Sequence, residues 1–153
     1  LARLGRAAGV SGAAVAAQAD VIEWLIQKAR PYIYTTASPP FLAACLLESL
    51  RQIEAGTARR ARLSAHVAQL RQGLAGLKRG VLIPSDTPIQ PLVIGANGDA
   101  VQLLKDLLQR GLMVPAIRTP TVPVNTARLR ITLSASHSAD DVAQLVEALH
   151  ALD

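Results

Sequence analysis

Residues 115–123 read PAIRTPTVP and place one arginine, Arg118, and two threonines, of which Thr121 is the candidate binding residue, among three prolines. Each proline fixes its own φ at about −65° and pushes the residue before it toward extended conformations. The segment therefore presents a guanidinium and a hydroxyl group from a stiff, non-helical backbone. Such groups bind anionic or polar substrates when they line a pocket. A rigid connection between two strands is the alternative explanation of the prolines.

Two further arginines lie within the stretch RLRITLS, residues 128–134. Successive side chains of a strand point to opposite faces of the sheet. The spacing therefore places Arg128, Arg130 and Thr132 on one face and the intervening apolar residues on the other. We expect the apolar face to join the core and the other face to carry the two guanidinium groups. From the alternation alone, a binding role and ordinary surface exposure explain the arginines equally well.

The remaining reactive residue types indicate neither thiol nor metal chemistry. Cys45 is the single cysteine and forms no disulfide within the chain, which fits a reducing compartment and a cytoplasmic location. It lies in an apolar run and is predicted to be a small buried residue. His66, His137 and His150 are far apart in the sequence and lack the neighbouring thiols or carboxylates of a metal site. His137, near a predicted helix start, is expected to be structural.

The charge pattern gives little support to a nucleic-acid partner. The net charge is +5, and the close basic cluster Arg59, Arg60 and Arg62 lies in a helical stretch. Aromatic residues make up only 3% of the chain, so few rings are available to stack on bases beside it. A solvated helix face is the preferred interpretation of the cluster. Since no apolar run reaches the roughly 18 residues that a spanning helix needs, no membrane partner is expected.

The first forty residues are expected to combine two strands with one helix. The apolar run GAAVAA, residues 12–17, is predicted to be a buried strand. Asp20 is the expected N-cap of a helix over residues 21–30, which Pro31 would end. The stretch YIYTT, residues 32–36, has the composition of a second strand.

A long helical segment is predicted to follow. Ser38 is the expected cap of a helix from Phe41 to Ala55, because prolines are tolerated in a first helical turn. Gly56 and Thr57 are expected only to bend this helix, since helical spacing resumes over residues 58–77. The apolar face of that continuation consists of Leu63, Val67, Leu70 and Leu74. A helical connection of this length is typical of a link between two domains.

The last part of the sequence predicts a small α+β domain. The predicted elements are strand 89–95, helix 97–111, strand 112–118, strand 128–134 and helix 138–152. Gly111 is expected to end the first helix, and Ser138 with Asp141 forms a capping box at the start of the second. The order β-α-β-β-α indicates a small sheet with helices on one face.

Four stretches of the sequence resemble one enzyme family. They are LGRAAGVSGAAVAA, ARPYIYTTASPP, IQPLVIG and GLMVPAIRTPTVPVNTARLRITLSASHSADDV. Their residues and their order resemble the α-oxoamine synthases, which are pyridoxal-phosphate enzymes, and the resemblance extends over essentially the whole chain. It implies the α/β class and the C-terminal part of a pyridoxal-phosphate-dependent transferase fold. Residues 1–40 would then end the large cofactor-binding domain, residues 41–78 would form the linking helical segment, and residues 79–153 the small α+β domain.

The resemblance implies an activity for a longer parent protein. Most of the catalytic domain would precede residue 1, including the histidine that stacks on the cofactor and the aspartate that pairs with its pyridinium nitrogen. Family members join an amino acid to an acyl thioester with loss of carbon dioxide and the free thiol, and pyridoxal phosphate serves as the electron sink. They are expected to be cytoplasmic homodimers that act on small molecules.

Three functional alternatives stay open within this resemblance. The first is the member that condenses L-alanine with a pimeloyl thioester in biotin biosynthesis, to which the motifs are most similar. The second is another member that uses glycine and a different acyl-CoA. The third is a catalytically inactive fragment that serves only as a folded or dimerising module.

The residues at the family's cofactor lysine depart from its pattern. That pattern is approximately T-x-G-K-x-x-G-x-x-G, and residues 3–12 of this chain read RLGRAAGVSG. Arg6 stands where the Schiff-base lysine is expected, and Arg3 where a phosphate-binding threonine is expected. Because a guanidinium stays protonated and is a poor amine nucleophile, Arg6 cannot form the covalent link. Three explanations of Arg6 stay open: a degenerate or engineered copy, a misassigned modified residue, or an out-of-frame end of the alignment. No covalently bound cofactor is expected.

Other residues acquire expected roles from the resemblance. Arg130 matches the arginine that holds the carboxylate of the amino-acid substrate, for which two parallel hydrogen bonds are well suited. Arg118 and Thr121 resemble residues that line the substrate and acyl-chain pocket. Thr35 and Thr36 resemble a hydroxyl pair that reaches the cofactor phosphate of the neighbouring subunit. No metal is implied.

The sequence also predicts association of the chain. If the strands GAAVAA and YIYTT lack neighbouring strands, their edges and the apolar face of the helix between them would face water. Such surface is rarely left uncovered, so a dimer or a larger assembly is expected. Trp24, which lies on that helix, would report whether the surface is covered.

Overall fold

The computed structural model describes residues 2–153, apart from the side chains of Ala2, Arg6 and Ala7. The chain divides into two compact units, of which the first ends at Thr57 and the second comprises Ala58–Asp153. The predicted division at residues 40 and 78 stays a prediction.

The first unit is built mainly from helices. Its elements are β1 (Ala2–Arg3), α1 (Leu4–Ala7), β2 (Ala13–Ala14), α2 (Ala19–Lys28), α3 (Arg30–Ile33) and α4 (Pro40–Glu54). Strands β1 and β2 pair antiparallel, and Ser49 Oγ of α4 donates a 2.7 Å hydrogen bond to the carbonyl oxygen of Ala8. Helices α2, α3 and α4 contain no buried residues, so the apolar side chains of this unit are largely exposed.

Both strands predicted in the first unit differ from what is observed. Only Ala13–Ala14 of the run GAAVAA is a strand, and both residues are exposed. The stretch YIYTT is not a strand, because its first two residues belong to helix α3, which carries a proline in its first turn. A proline is well suited to a helix start. Among the described residues β2 pairs only with β1. The stretch YIYTT therefore has no neighbouring strand to pair with, although its composition is typical of a strand.

Three further expectations for the first unit were also wrong. Helix α2 begins after Gln18 rather than at Asp20, and helix α4 begins after Pro39 rather than Ser38, with no side-chain cap bond at either end. Cys45 is exposed instead of buried, and no residue of α4 is fully buried in the described part of the chain. Its apolar neighbours had suggested a core that this unit does not form.

The second unit consists of a small antiparallel sheet and three long helices. Its elements are α5 (Thr57–Gly73), β3 (Val81–Leu82), β4 (Ile89–Gly95), α6 (Asn97–Gln109), β5 (Ala116–Ile117), β6 (Ala127–Thr132) and α7 (Ala139–His150). The strand order is β3-β4-β6-β5, and every neighbouring pair is antiparallel. The predicted strand 89–95 and both predicted helices are confirmed. Strand β3 was not predicted, and the expected strand 112–118 is reduced to two residues.

The core of the second unit lies between one face of the sheet and the three helices. Strands β4 and β6 contribute Leu92, Leu129 and Ile131, while the largest buried helix residues are Leu70, Leu103, Leu107 and Val142. Burying a leucine or valine side chain contributes about 1.5–3 kcal/mol. The predicted apolar face of α5 is confirmed, because all four of its residues belong to this core or pack against it. The alternation predicted for residues 128–134 is also confirmed.

One polar residue lies on the core face of the sheet. Gln90 of β4 is 0% exposed. Its Nε2 donates to the carbonyl oxygens of Ser85 (2.9 Å) and Thr87 (2.6 Å), and its Oε1 accepts a 2.7 Å bond from Nη1 of Arg71. These bonds satisfy the buried amide and join helix α5 to the connection between β3 and β4.

The predicted capping box of α7 is present. Ser138 Oγ accepts a bond from the backbone N–H of Asp141, and the Asp141 carboxylate accepts one from the backbone N–H of Ser138. This backbone bond, followed by the bond with the Ser138 side chain, holds the pKa of Asp141 below its ordinary value of 3.8. The carboxylate is therefore charged at neutral pH and stabilises the start of the helix.

Candidate functional site

The face of the sheet opposite the core, here called the outer face, carries the two arginines of β6. Arg130 lies directly opposite Pro91 of β4. On its other side its backbone N–H donates a 2.8 Å bond to the carbonyl oxygen of Pro115, one residue before β5. Since Gln90 and Leu92 are buried on the core side, Pro91 points to the outer face together with Arg130. Arg130 therefore lies between two prolines.

The two arginines of the outer face differ in their bonding. Arg128 is half-buried, and its guanidinium donates to the carbonyl oxygen of Thr126 (Nε, 3.0 Å) and to Thr126 Oγ1 (Nη2, 3.1 Å). Arg130 is exposed, and its guanidinium has no hydrogen-bond or ion-pair partner among the described residues. Arg130 is thus the arginine whose donors are available to a ligand.

The surroundings of Arg130 contain no carboxylate on the sheet. The strand register places on the outer face, around the two arginines, the side chains of Ile83, Ile89, Pro91, Val93, Ile117 and Thr132. These residues are uncharged, so nothing on the sheet neutralises the guanidinium. An unpaired guanidinium above an apolar surface binds a carboxylate through two parallel, charge-assisted hydrogen bonds.

The segment with Arg118 and Thr121 follows β5 at the edge of the sheet. It forms a turn in which the backbone N–H of Thr121 donates to the carbonyl oxygen of Arg118 at 2.9 Å. The Thr119–Pro120 peptide bond in this turn is cis, and the Thr119 N–H lies 3.4 Å from Asn97 Oδ1. Both predicted side chains are exposed and have no hydrogen-bond partner within the described part of the chain. The turn therefore holds the backbone and leaves the guanidinium and hydroxyl groups free.

The other predicted site residues belong to the first unit. Arg3 is exposed in β1, opposite Ala13 of β2. Arg6 lies in α1, and its side chain is outside the described atoms. Thr35 and Thr36 are exposed in the connection between α3 and α4. Within their unit these residues occupy separate elements, and no hydrogen bond described here joins them.

The residues present do not fit a covalently held pyridoxal phosphate. By the family resemblance, Arg6 stands where the lysine that forms the aldimine is expected, and a guanidinium does not condense with an aldehyde. The three lysines of the chain lie elsewhere: Lys28 in α2, Lys78 after α5 and Lys105 in α6.

A cavity of about 370 Å³ is lined by other residues of the second unit. Its walls include Met113, Ile131, Leu133 and His137. None of the residues predicted from the sequence to bind substrate or cofactor lines it. The candidate site is consequently an open sheet face with an adjoining turn.

Other kinds of site receive no support from the described residues. They contain no cluster of histidine, cysteine and acidic side chains that could hold a metal ion. Residues 2–153 include no helix that is both long and apolar enough to cross a membrane. His66 and His137 instead make hydrogen bonds within the fold. His66 Nε2 donates a 2.9 Å bond to the carbonyl oxygen of His137, and the Nδ1 of His137 accepts a bond from the backbone N–H of Ser134.

Sequence reasoning missed the two prolines beside Arg130. From the sequence, Pro91 belongs to a predicted strand and Pro115 to the proline-rich segment, and neither is placed beside Arg130. Their proximity to Arg130 depends on the register between three strands. The available signal was a proline inside an otherwise strand-like run, which is uncommon away from sheet edges and bulges.

Comparison with known proteins defines the class first. Residues 4–149 match the family model of aminotransferase class I and II, and the chain belongs to this family. The curated 8-amino-7-oxononanoate synthase of Thiobacillus denitrificans is 72% identical over 152 residues. That alignment covers 99% of this chain and 39% of the relative. The synthase of Aromatoleum aromaticum is 58% identical over 150 residues, with 98% and 39% covered. The chain thus spans about two fifths of the length of these relatives.

Solved structures give the same fold. The crystal structure of 8-amino-7-oxononanoate synthase from Francisella tularensis superposes with a TM-score of 0.84 at 29% identity, over 98% of this chain and 44% of that one. A structure of SPT with a PLP internal aldimine gives 0.86 at 25% identity, over 97% and 38%. The expected family resemblance and the α/β transferase fold class are confirmed.

Proposed function

We propose that the whole protein to which this chain belongs is an 8-amino-7-oxononanoate synthase, which condenses L-alanine with a pimeloyl thioester in biotin biosynthesis. The observation that carries this proposal is the 72% identity to a synthase of that name over nearly the whole chain. Among the solved structures, the synthase of Francisella tularensis and SPT are similarly distant, at 29% and 25% identity. The preference for the alanine-using member therefore rests on the curated relatives of that name.

The proposed reaction forms one carbon–carbon bond and releases two small products. The α-carbon of L-alanine bonds to the acyl carbonyl carbon, the alanine carboxylate leaves as carbon dioxide, and the thiol leaves from the thioester. Before it leaves, the carboxylate must be held in a fixed orientation. The unpaired guanidinium of Arg130 supports this role, because its donors match the two carboxylate oxygens.

The remaining candidate residues are proposed to have separate binding roles within their own units. Arg118 and Thr121 would line the path of the acyl chain, which their free side chains and bonded backbone support. Thr35 and Thr36 would supply hydroxyl donors to a cofactor phosphate in the partner subunit of a homodimer. Arg3, which stands where the family has a phosphate-binding threonine, would contact the phosphate of the cofactor.

The homodimer is supported by the exposed apolar residues of the first unit. Trp24 is 61%, Tyr32 64%, Phe41 63% and Leu47 59% exposed. Side chains of this size carry much of the energy of protein interfaces. We further propose that the enzyme is cytoplasmic, acts on small molecules and has no nucleic-acid or membrane partner.

Arg6 favours a second candidate function, that of a catalytically silent protein, because an arginine cannot form the aldimine. The two are separated with the full-length protein and its R6K variant, each incubated with pyridoxal phosphate, L-alanine and a pimeloyl thioester while carbon dioxide and free thiol are measured. R6K restores an amine at the aldimine position, so we expect equal amounts of both products from R6K. Equal products from the unaltered protein as well would support the synthase, and none above background would support the silent protein.

The amino-acid arm of the same experiment tests the substrate. With R6K, L-alanine should be used faster than glycine at equal concentration. A preference for glycine would assign the protein to another α-oxoamine synthase. Absence of turnover in R6K, with a borohydride-reducible absorbance band showing that the cofactor is attached, would overturn the proposed activity and leave the silent module.

A further inference from the structure

The row of residues that crosses the outer face at Arg130 is unusual in composition. From β3 to β5 it contains Ile83, Pro91, Arg130 and Pro115, since Ile83 N–H donates to Pro91 O (3.0 Å) and Arg130 N–H to Pro115 O (2.8 Å). The neighbouring row has Val93 and Ile117 on either side of Arg128. Prolines therefore occur on both sides of the arginine with a free guanidinium.

The hydrogen-bond directions place Pro91 especially close to Arg130. The carbonyl oxygen of Pro91 accepts a bond from Ile83, one residue after β3, so the polar backbone edge of Pro91 points away from β6. Pro91 and Arg130 are thus a non-hydrogen-bonded pair, in which Cα atoms are about 4.5 Å apart and side chains are closest. Pro91 is half-buried, as expected for a ring beside a long neighbouring side chain.

We propose that Pro91 and Pro115 are positioning residues that hold the aliphatic stem of Arg130 between two rigid rings, so that its guanidinium is oriented for a carboxylate before substrate arrives. A proline ring has no side-chain torsion to order and carries neither a charge nor a donor that would compete for the ligand. An arginine otherwise loses much side-chain freedom on binding. Restricting it in advance reduces that loss.

This inference rests on the proposed function, because it assumes that Arg130 binds the alanine carboxylate. It concerns a separate property, the order of the side chain in the absence of ligand. That order can be measured without turnover. The proposed function and the positioning role of the prolines are therefore tested by different experiments.

The first experiment measures side-chain order in the full-length protein labelled with ¹⁵N-arginine. The Nε order parameter of Arg130 should exceed that of Arg110, an exposed arginine at the end of α6. The substitution P91A should lower it to the Arg110 value. In V93A, which removes an outer-face side chain opposite Arg128, it should stay unchanged. Equal order parameters for both arginines in the unaltered protein would overturn the proposal.

The second experiment measures kinetics in the R6K background. P91A should raise KM for L-alanine about fivefold, because about half of the arginine's side-chain freedom is restored, while kcat changes less than about twofold. P91V, which restores a stiff branched side chain beside the stem, should recover most of the affinity. An unchanged KM in P91A would contradict the inference. So would an equal fall in kcat or a failure of P91V to recover affinity, because either would mean a general disturbance of β4.

The variant R130A separates the binding role proposed for Arg130 from the positioning role proposed for the two prolines. If R130A leaves KM and kcat for L-alanine unchanged, Arg130 does not hold the substrate, and both the role assigned to it and the positioning proposal are wrong. If R130A abolishes alanine use while P91A and P115A have no effect, only the positioning proposal is overturned.

Discussion

The substitution Gln90→Ala is expected to destabilise the second unit strongly. The side chain is fully buried and makes three hydrogen bonds, two to backbone carbonyl oxygens and one to Arg71. A net contribution of about 1 kcal/mol for each bond gives about 3 kcal/mol. The cavity left in the core would add to this cost.

The matched control for this prediction is Gln102→Ala. Gln102 makes one exposed bond, to Asp106 at 2.8 Å within helix α6. Its removal should change the free energy of unfolding by less than about 0.5 kcal/mol. Both variants exchange glutamine for alanine, so the difference between them isolates burial and the network.

The assay is urea denaturation, combined with hydrogen exchange at the backbone amide of Leu133. This amide donates a 2.9 Å bond to the carbonyl oxygen of Pro88, which lies in the connection that Gln90 holds. We expect faster exchange at Leu133 in Gln90→Ala and none of this effect in Gln102→Ala. A loss below about 1 kcal/mol in Gln90→Ala, or equal losses in both variants, would refute the reasoning.

Three further outcomes follow from other contacts of the second unit. Gly80→Ala should cost at least about 2 kcal/mol in thermal unfolding, because φ is +108° and a Cβ would lie 2.8 Å from the carbonyl oxygen of Val93. Gly76→Ala, with φ of +82° and open space, should cost only about 1 kcal/mol, and equal losses would contradict the contact. Ser138→Ala should lose about 1 kcal/mol of stability through the capping box, measured by denaturation at pH 7. The pKa of Asp141 is lowered, so its contribution is complete above its ordinary pKa and is lost as the pH falls through the lowered value. An Asp141→Asn variant should therefore show a smaller loss of stability between pH 5 and pH 2 than the unaltered protein.

The second unit was largely predictable because its local signals agree with its packing. The strand 89–95, the helix with Gly111 after its end and the capping box at Ser138 were all expected from composition and spacing. Alternation in residues 128–134 also separated the core side chains from the two arginines. In each case the residues that favour an element locally are the same ones that join the core.

Other features depended on contacts that no local pattern encodes. The run YIYTT has strand composition, yet Pro31 starts a helix there and no neighbouring strand is described for it. The burial of Gln90 depends on its bond with Arg71, 19 residues away. The proximity of Pro91 to Arg130 depends on the pairing of β4 with β6. Register and buried polar networks are properties of the assembled sheet.

We propose that Arg130, and not its neighbour Arg128, holds the carboxylate of the amino-acid substrate. The most direct measurement is kcat/KM for L-alanine in R130A and R128A, both made in the full-length R6K protein. Loss of a bidentate charge-assisted pair costs about 3 kcal/mol, so R130A should lose at least about 100-fold. R128A, whose guanidinium bonds to Thr126, should lose less than about threefold. Equal losses in the two variants, or a larger loss in R128A, would contradict the account.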